Sequence, residues 1–112
     1  MQTCFMAKPN PIPKAILELD RVVHEPARLA ILTVLASAEE VAFLFLQRVT
    51  GMSKGNLSSH TQKLEAAGYL DTVKVFQGRI PVTSFRITED GRTSLRLYHQ
   101  QLRALLPKEG KS

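Results

Sequence analysis

One cysteine, no tryptophan and no apolar run of about 18 residues limit what this 112-residue chain can be. With Cys4 alone, no disulfide can form within the chain, and a reducing compartment fits. No segment is apolar for long enough to span a bilayer, so no membrane association is expected. The N-terminus also lacks the basic start and continuous apolar stretch of a signal peptide, and the expectation is a cytoplasmic protein. The three histidines, His24, His60 and His99, fall on separate segments with no cysteine pair or acidic ligand spacing beside them, so no metal site is expected. Serine, histidine and aspartate are present, but nothing places a nucleophile beside a base and no glycine-rich phosphate loop occurs. The sequence therefore calls for no catalytic residue and no cofactor, and a non-enzymatic protein is expected.

What the chain does have is ordinary globular material, 44% hydrophobic and 22% charged, with a formal net charge of +5. Its length fits one domain with its own core. The charge is unevenly spread. Residues 14–40 hold Lys14, Arg21 and Arg28 against five carboxylates, whereas residues 51–87 hold Lys54, Lys63, Lys74, Arg79 and Arg86 against only Glu65 and Asp71. An anionic partner for the second half is the implication.

Residues 1–13, with three prolines in five positions, read as a flexible N-terminal arm; 14–106 form the domain, and 107–112 a tail. From Lys14 a helix is expected, with Ile16, Leu17, Leu19, Val22 and Val23 on one face. Pro26 suits the first turn of a second helix that carries Leu29, Ile31, Leu32, Val34 and Leu35 and stops near Ser37. A short apolar helix from Phe43 to Val49 then breaks at Thr50-Gly51. Ser53 caps the next helix, and Gly68 ends it. Two strand-like stretches follow, around Val73 and Val82, joined by a turn at Gln77-Gly78-Arg79. Pro81 places the start of the second strand at an exposed edge or in a loop. Thr88, followed by two acids, opens a last helix that runs to Pro107.

Helix, tight glycine turn, helix is an arrangement that presents one helix end-on to a DNA groove, and a two-stranded hairpin after it makes a wing. In this order the chain resembles the winged helix-turn-helix transcriptional regulators related to the MarR and ArsR families, as a small single-domain member. Three segments carry the resemblance: HEPARLAILTVL (His24 to Leu35), GMSKGNLSSHTQKLEAAGYL (Gly51 to Leu70) and FRITEDGR (Phe85 to Arg92). Together they span about residues 20–106. The fold implied is mainly α with a small β-hairpin, an α+β winged helix with helices at both ends forming a dimer interface.

The chain departs from the family's pattern in two places. Thr61 stands where that family carries an apolar core residue, so its hydroxyl needs a backbone acceptor. Phe43, Leu44, Phe45 and Leu46 stand in succession, more than one core can face, which leaves an aromatic for the surface or a dimer contact.

On the Ser53 helix, Leu57, Thr61 and Leu64 define the buried face. Gly55, Ser59, Gln62 and Ala66 point the other way, flanked by Asn56, Ser58 and Lys63. Gln62 and Asn56 suit adenine edges, and Ser53, Ser58 and Ser59 suit bases or phosphates. Lys54 and Lys63 suit phosphates. Arg79 at the wing tip suits a narrow minor groove or a phosphate. The competing reading for each is a solvated surface, as it is for Lys74 and Arg86 on the wing strands. His60 either touches phosphate or packs.

Leucines on the last helix exceed the needs of a small core. The resemblance implies that the first and last helices pair across a two-fold axis through Ile16, Leu17, Leu95, Tyr98, Leu102 and Leu105; the alternative is that both fold back on their own domain. The implied partner is double-stranded DNA, bound by a homodimer. The chain is short for a dedicated effector pocket, no effector is named by the sequence, and a winged helix serving protein–protein contact is the alternative function.

Overall fold

Glu25 and Pro26 show how local chemistry sets the elements. In the computed structural model, which describes residues 11–106, Glu25 is extended and its carboxylate accepts the Arg28 backbone N–H at 2.8 Å. Pro26 opens the helix at a position whose N–H would be unpaired in any case. In chain order the elements are α1 (Ile12–Leu17), α2 (Pro26–Ala36), β1 (Val41–Ala42), α3 (Phe43–Thr50), α4 (Lys54–Ala66), β2 (Leu70–Gln77), β3 (Ile80–Ile87) and α5 (Glu89–Leu105). This is the expected mainly helical winged-helix α+β architecture, with one small sheet. Cys4, most of the expected arm and the tail lie outside the described residues.

The first helix differs from expectation at both ends. It begins at Ile12 and stops at Leu17, so Leu19, Val22 and Val23 do not continue it. The Asp20 carboxylate instead accepts the backbone N–H of Val22 at 2.8 Å and of Val23 at 3.2 Å. This local turn outcompetes the helix, and Pro26 disfavours helical geometry at Glu25. Leu19 and Val23 reach the core through the turn.

The glycine turns are as expected. Gly51, left-handed at φ 72°, ends α3, and the Ser53 hydroxyl caps α4 by accepting the Asn56 N–H at 3.2 Å. At the other end of α4, Gly68 has φ 83°. Its N–H reaches the Glu65 carbonyl while the Tyr69 N–H reaches that of Leu64, both at 2.9 Å. That pair of bonds is a Schellman motif.

β1 has only two residues and was not foreseen. It gives the three-stranded antiparallel sheet its order β1-β3-β2, with Val41 opposite Phe85 and Ala42 opposite Ser84. β3 is therefore central only at that end. At Pro81 its outer edge is open, so the missing N–H costs the sheet nothing there.

The core gathers Ile31, Leu32 and Leu35 of α2, Leu46 of α3, Leu57 and Leu64 of α4, Leu70 and Phe85 of the wing base, and Leu95 and Tyr98 of α5. Each such burial contributes about 1.5–3 kcal/mol. Thr61 is buried in the same face of α4, and its hydroxyl donates back to the Leu57 and Ser58 carbonyls at 2.9 and 3.0 Å. The departure from an apolar residue is thus satisfied within the helix.

The corner joining α4, the wing and α5 is tied through Thr88. Thr88 donates its hydroxyl to the Gly68 carbonyl at 2.6 Å and accepts the Gly91 N–H at 3.0 Å. The Thr88 N–H reaches the Tyr69 carbonyl at 3.1 Å. Gly91 lets α5 lie directly on this corner: a Cβ there would collide with the Tyr69 carbonyl oxygen and come within 2.8 Å of the Ile87 side chain.

Candidate nucleic-acid interface

Strand register decides which wing residues look toward α4. The pairs Thr72–Phe85, Lys74–Thr83 and Phe76–Pro81 alternate with Asp71–Arg86, Val73–Ser84, Val75–Val82 and Gln77–Ile80, so the first set shares one face of the hairpin. That face and α4 bound an open groove of about 550 Å³. Lys54, Ser58 and Gln62 line it from α4, and Thr72, Lys74 and Thr83 line it from the wing. Phe43 and Phe85, ring centroids 6.1 Å apart, contribute its apolar lining. Glu65 also lines it, and a carboxylate there repels a phosphate.

The expected α4 residues therefore fall into two sets. Lys54, Ser58 and Gln62 open onto the groove. Asn56, Ser59 and Lys63 are exposed beside it but are absent from its lining. Ser53 is committed as the helix cap, which uses its oxygen and leaves its O–H to donate. Gly55 has no atom within 4 Å of where a Cβ would stand, so this part of the helix surface is open. Arg79 is exposed at the wing tip, in a two-residue loop in which Gly78 takes φ 65°.

Two other cations are placed more definitely than the sequence allowed. Lys74 faces the groove. Arg86 lies on the opposite face and binds Glu40 at 3.0 Å, clamping the loop before β1 to β3. Gln47, Thr72 and Thr83 were missed as groove residues. The alternation of the strands held the signal for the two threonines once the register was known.

The histidines go three separate ways. His60 is largely covered and stands 3.9 Å from the Glu25 carboxylate, which fits the packing role of the two expected. Partial burial works against the Glu25 charge. The Arg28 N–H, His60, the Arg28 guanidinium and the Ala27 N–H outweigh it and hold the carboxyl below its ordinary value. His24 Nδ1 lies 2.7 Å from the Tyr98 hydroxyl, and the His99 ring stands 6.2 Å from that of Tyr98. Among the described residues no three His, Cys, Asp or Glu side chains are grouped to hold a metal.

The expected dimer residues also divide. Leu95 and Tyr98 are 6% and 3% exposed and belong to the chain's own core. Leu102 and Leu105 pack partly against it. Ile16 and Leu17 are exposed on α1, and Leu97, which was not singled out, is 49% exposed on α5. Of the apolar run before the turn, Leu46 is buried and Phe43 half-buried, whereas Leu44 is 70% exposed and Phe45 is also exposed. No helix among the described residues is long and apolar enough to cross a membrane.

Comparison with known proteins agrees with this geometry. A family profile described as the winged helix DNA-binding domain matches residues 27–106. An uncharacterized protein of Methanocaldococcus jannaschii is 33% identical over 79 residues, which is 70% of this chain and 85% of that one. A transcriptional regulator homologue from Pyrococcus horikoshii OT3 superposes with a TM-score of 0.77 at 30% identity, covering 82% of this chain and 93% of its own. The structure of MarR superposes with a TM-score of 0.68 at 16% identity, covering 84% and 72%, a likeness of fold. The chain belongs to the winged helix DNA-binding domain family and has the fold of MarR-type transcriptional regulators.

Proposed function

We propose that the protein is a cytoplasmic, homodimeric transcriptional regulator that binds double-stranded DNA sequence-specifically. α4 enters the major groove, and the wing sits on the minor groove or its phosphates. The observation that carries this reading is the shared groove: Lys54, Ser58 and Gln62 of α4 and Lys74 of the wing open onto one space. Gln62 and Asn56 read adenine edges, the serines serve bases or phosphates, and Lys54, Lys63 and Arg79 hold backbone. Gly55 keeps the helix surface low enough for close approach. The dimer uses the exposed apolar side chains of α1 and α5, Ile16, Leu17 and Leu97, with Leu102 and Leu105 at its margin, and sets two α4 helices about one DNA turn apart on a palindromic site.

A second reading has its own observation. Leu44, Phe45 and Val49 are 70%, 47% and 49% exposed on α3, an apolar surface suited to a protein partner. The Lys54→Ala/Arg79→Ala double variant separates the two. DNA binding weakened across all sequences supports the regulator, because phosphate contacts are sequence-independent. Unchanged affinity favours the protein-contact module.

A further inference from the structure

We infer that Phe76 is an apolar wedge: on binding, it enters the DNA groove beside Arg79 and bends the duplex. This rests on the DNA-binding reading above and adds a mode of contact to it.

Phe76 is 74% exposed near the tip of the hairpin, directly opposite Pro81. An aromatic ring so placed contributes nothing to the protomer's core. Its register puts it on the groove face, in line with Lys74 and Thr72 and about 13 Å further out than Thr72 at some 3.3 Å per residue. It therefore projects from the same side of the wing that α4 confronts.

The charge around it selects the partner. Between Thr72 and Thr88 the chain carries Lys74, Arg79 and Arg86 and no carboxylate. Arg86 is engaged by Glu40 on the other face, which leaves Lys74 and Arg79 flanking Phe76. An apolar ring between two cations complements a surface of phosphates over apolar stacked bases, which is what a duplex groove presents. The support is firm as well. The ladder is paired up to Gln77–Ile80, and the loop beyond it has only two residues, closed by Gly78. Ordering this ring on binding thus costs little backbone freedom. Phenylalanine inserted at a base step partly unstacks it and kinks the duplex by about 20–90°.

The test uses the full chain and a duplex of about 30 base pairs carrying a donor and an acceptor dye at its ends. Wild-type binding raises energy transfer. Phe76→Ala binds roughly tenfold more weakly, as loss of a base–aromatic contact does, and loses the rise in transfer while keeping the salt dependence of binding. Phe76→Leu restores most of both effects, and Ile80→Ala, on the opposite face, changes neither. The wedge is overturned if Phe76→Ala bends the duplex like the wild type, or if wild-type binding leaves energy transfer unchanged. A Phe76→Ala variant altered in sedimentation but not in DNA affinity would place a second copy at the tip and also overturn it. If the wild type binds no duplex at all, the DNA reading itself falls and takes the wedge with it.

Discussion

The Tyr69 hydroxyl donates to the Asp20 carboxylate at 2.5 Å, fastening the turn ahead of α2 to the elbow between α4 and the wing. Burial and this carboxylate together push the Tyr69 phenol above its ordinary value. Asp20 already holds the Val22 and Val23 N–H groups, so one side chain fixes the turn internally and against the elbow. Tyr69→Phe removes only the second tie. A hydrogen bond to a charged group contributes about 1.5–3 kcal/mol, so a melting temperature lower by several degrees is expected. An unchanged thermal melt would mean that Asp20 holds the turn without the elbow.

Two glycines on different helices are expected to respond oppositely to alanine. At Gly91 the added methyl meets the Tyr69 carbonyl, which is backbone and cannot swing away. Gly91→Ala should cost more than about 2 kcal/mol, in the range of overpacked cores. At Gly55 nothing lies within 4 Å, and an exposed helical Gly→Ala change stabilises by roughly 0.5–1 kcal/mol. Denaturant titrations of both variants check the pair. On the DNA-binding reading, the more stable Gly55→Ala variant binds duplex less tightly, because the methyl holds α4 away from base edges.

Acid should loosen the start of α2. Glu25 has its folded-state pKa lowered from 4.5, so its contribution is fully present above that value and is lost as pH falls through the lower folded value. Glu25→Gln removes the charge but keeps a capping oxygen. Its stability at neutral pH should fall by roughly 0.3–1 kcal/mol, the contribution of a negative charge at a helix N-terminus, and the gap to wild type should narrow as pH drops below 4.5. Melting curves across that range measure it, and a constant gap would locate the stabilisation in packing.

The proposed dimer makes a prediction about which leucines matter. Leu17 is 71% and Leu97 49% exposed, so aspartate at either leaves the fold intact and shifts sedimentation toward monomer. Leu95→Asp, by contrast, unfolds the protomer because it buries a charge in the core. A wild-type chain sedimenting as monomer at all concentrations would end the dimer reading.

Much of this was legible in the sequence because it is written in local chemistry. Pro26, Gly51, Ser53, Gly68 and Thr88 each do at a helix end what their side chains or dihedral freedom dictate. The face Leu57, Thr61 and Leu64 follows from helical spacing alone. What was hidden depends on distant partners or on short-range competition. β1 is too short to show a period and exists only because Phe85 and Ser84 lie beside it. The helix expected through Val23 gave way to a side chain, Asp20, that offers the backbone another bond. The surplus leucines of α5 were visible, but only the packed structure distinguishes Leu95, which the protomer covers, from Leu97, which it does not.

The most direct measurement of the central claim is duplex affinity as a function of salt. If Lys54, Lys63, Lys74 and Arg79 meet phosphates, log affinity falls linearly with log salt by about 0.9 per contact. The expected slope is then steeper than about −3 per protomer, and the Lys54→Ala/Arg79→Ala variant is shallower by about 2. A flat salt dependence, or a slope the double variant leaves unchanged, would contradict the assignment of α4 and the wing as a DNA-binding surface.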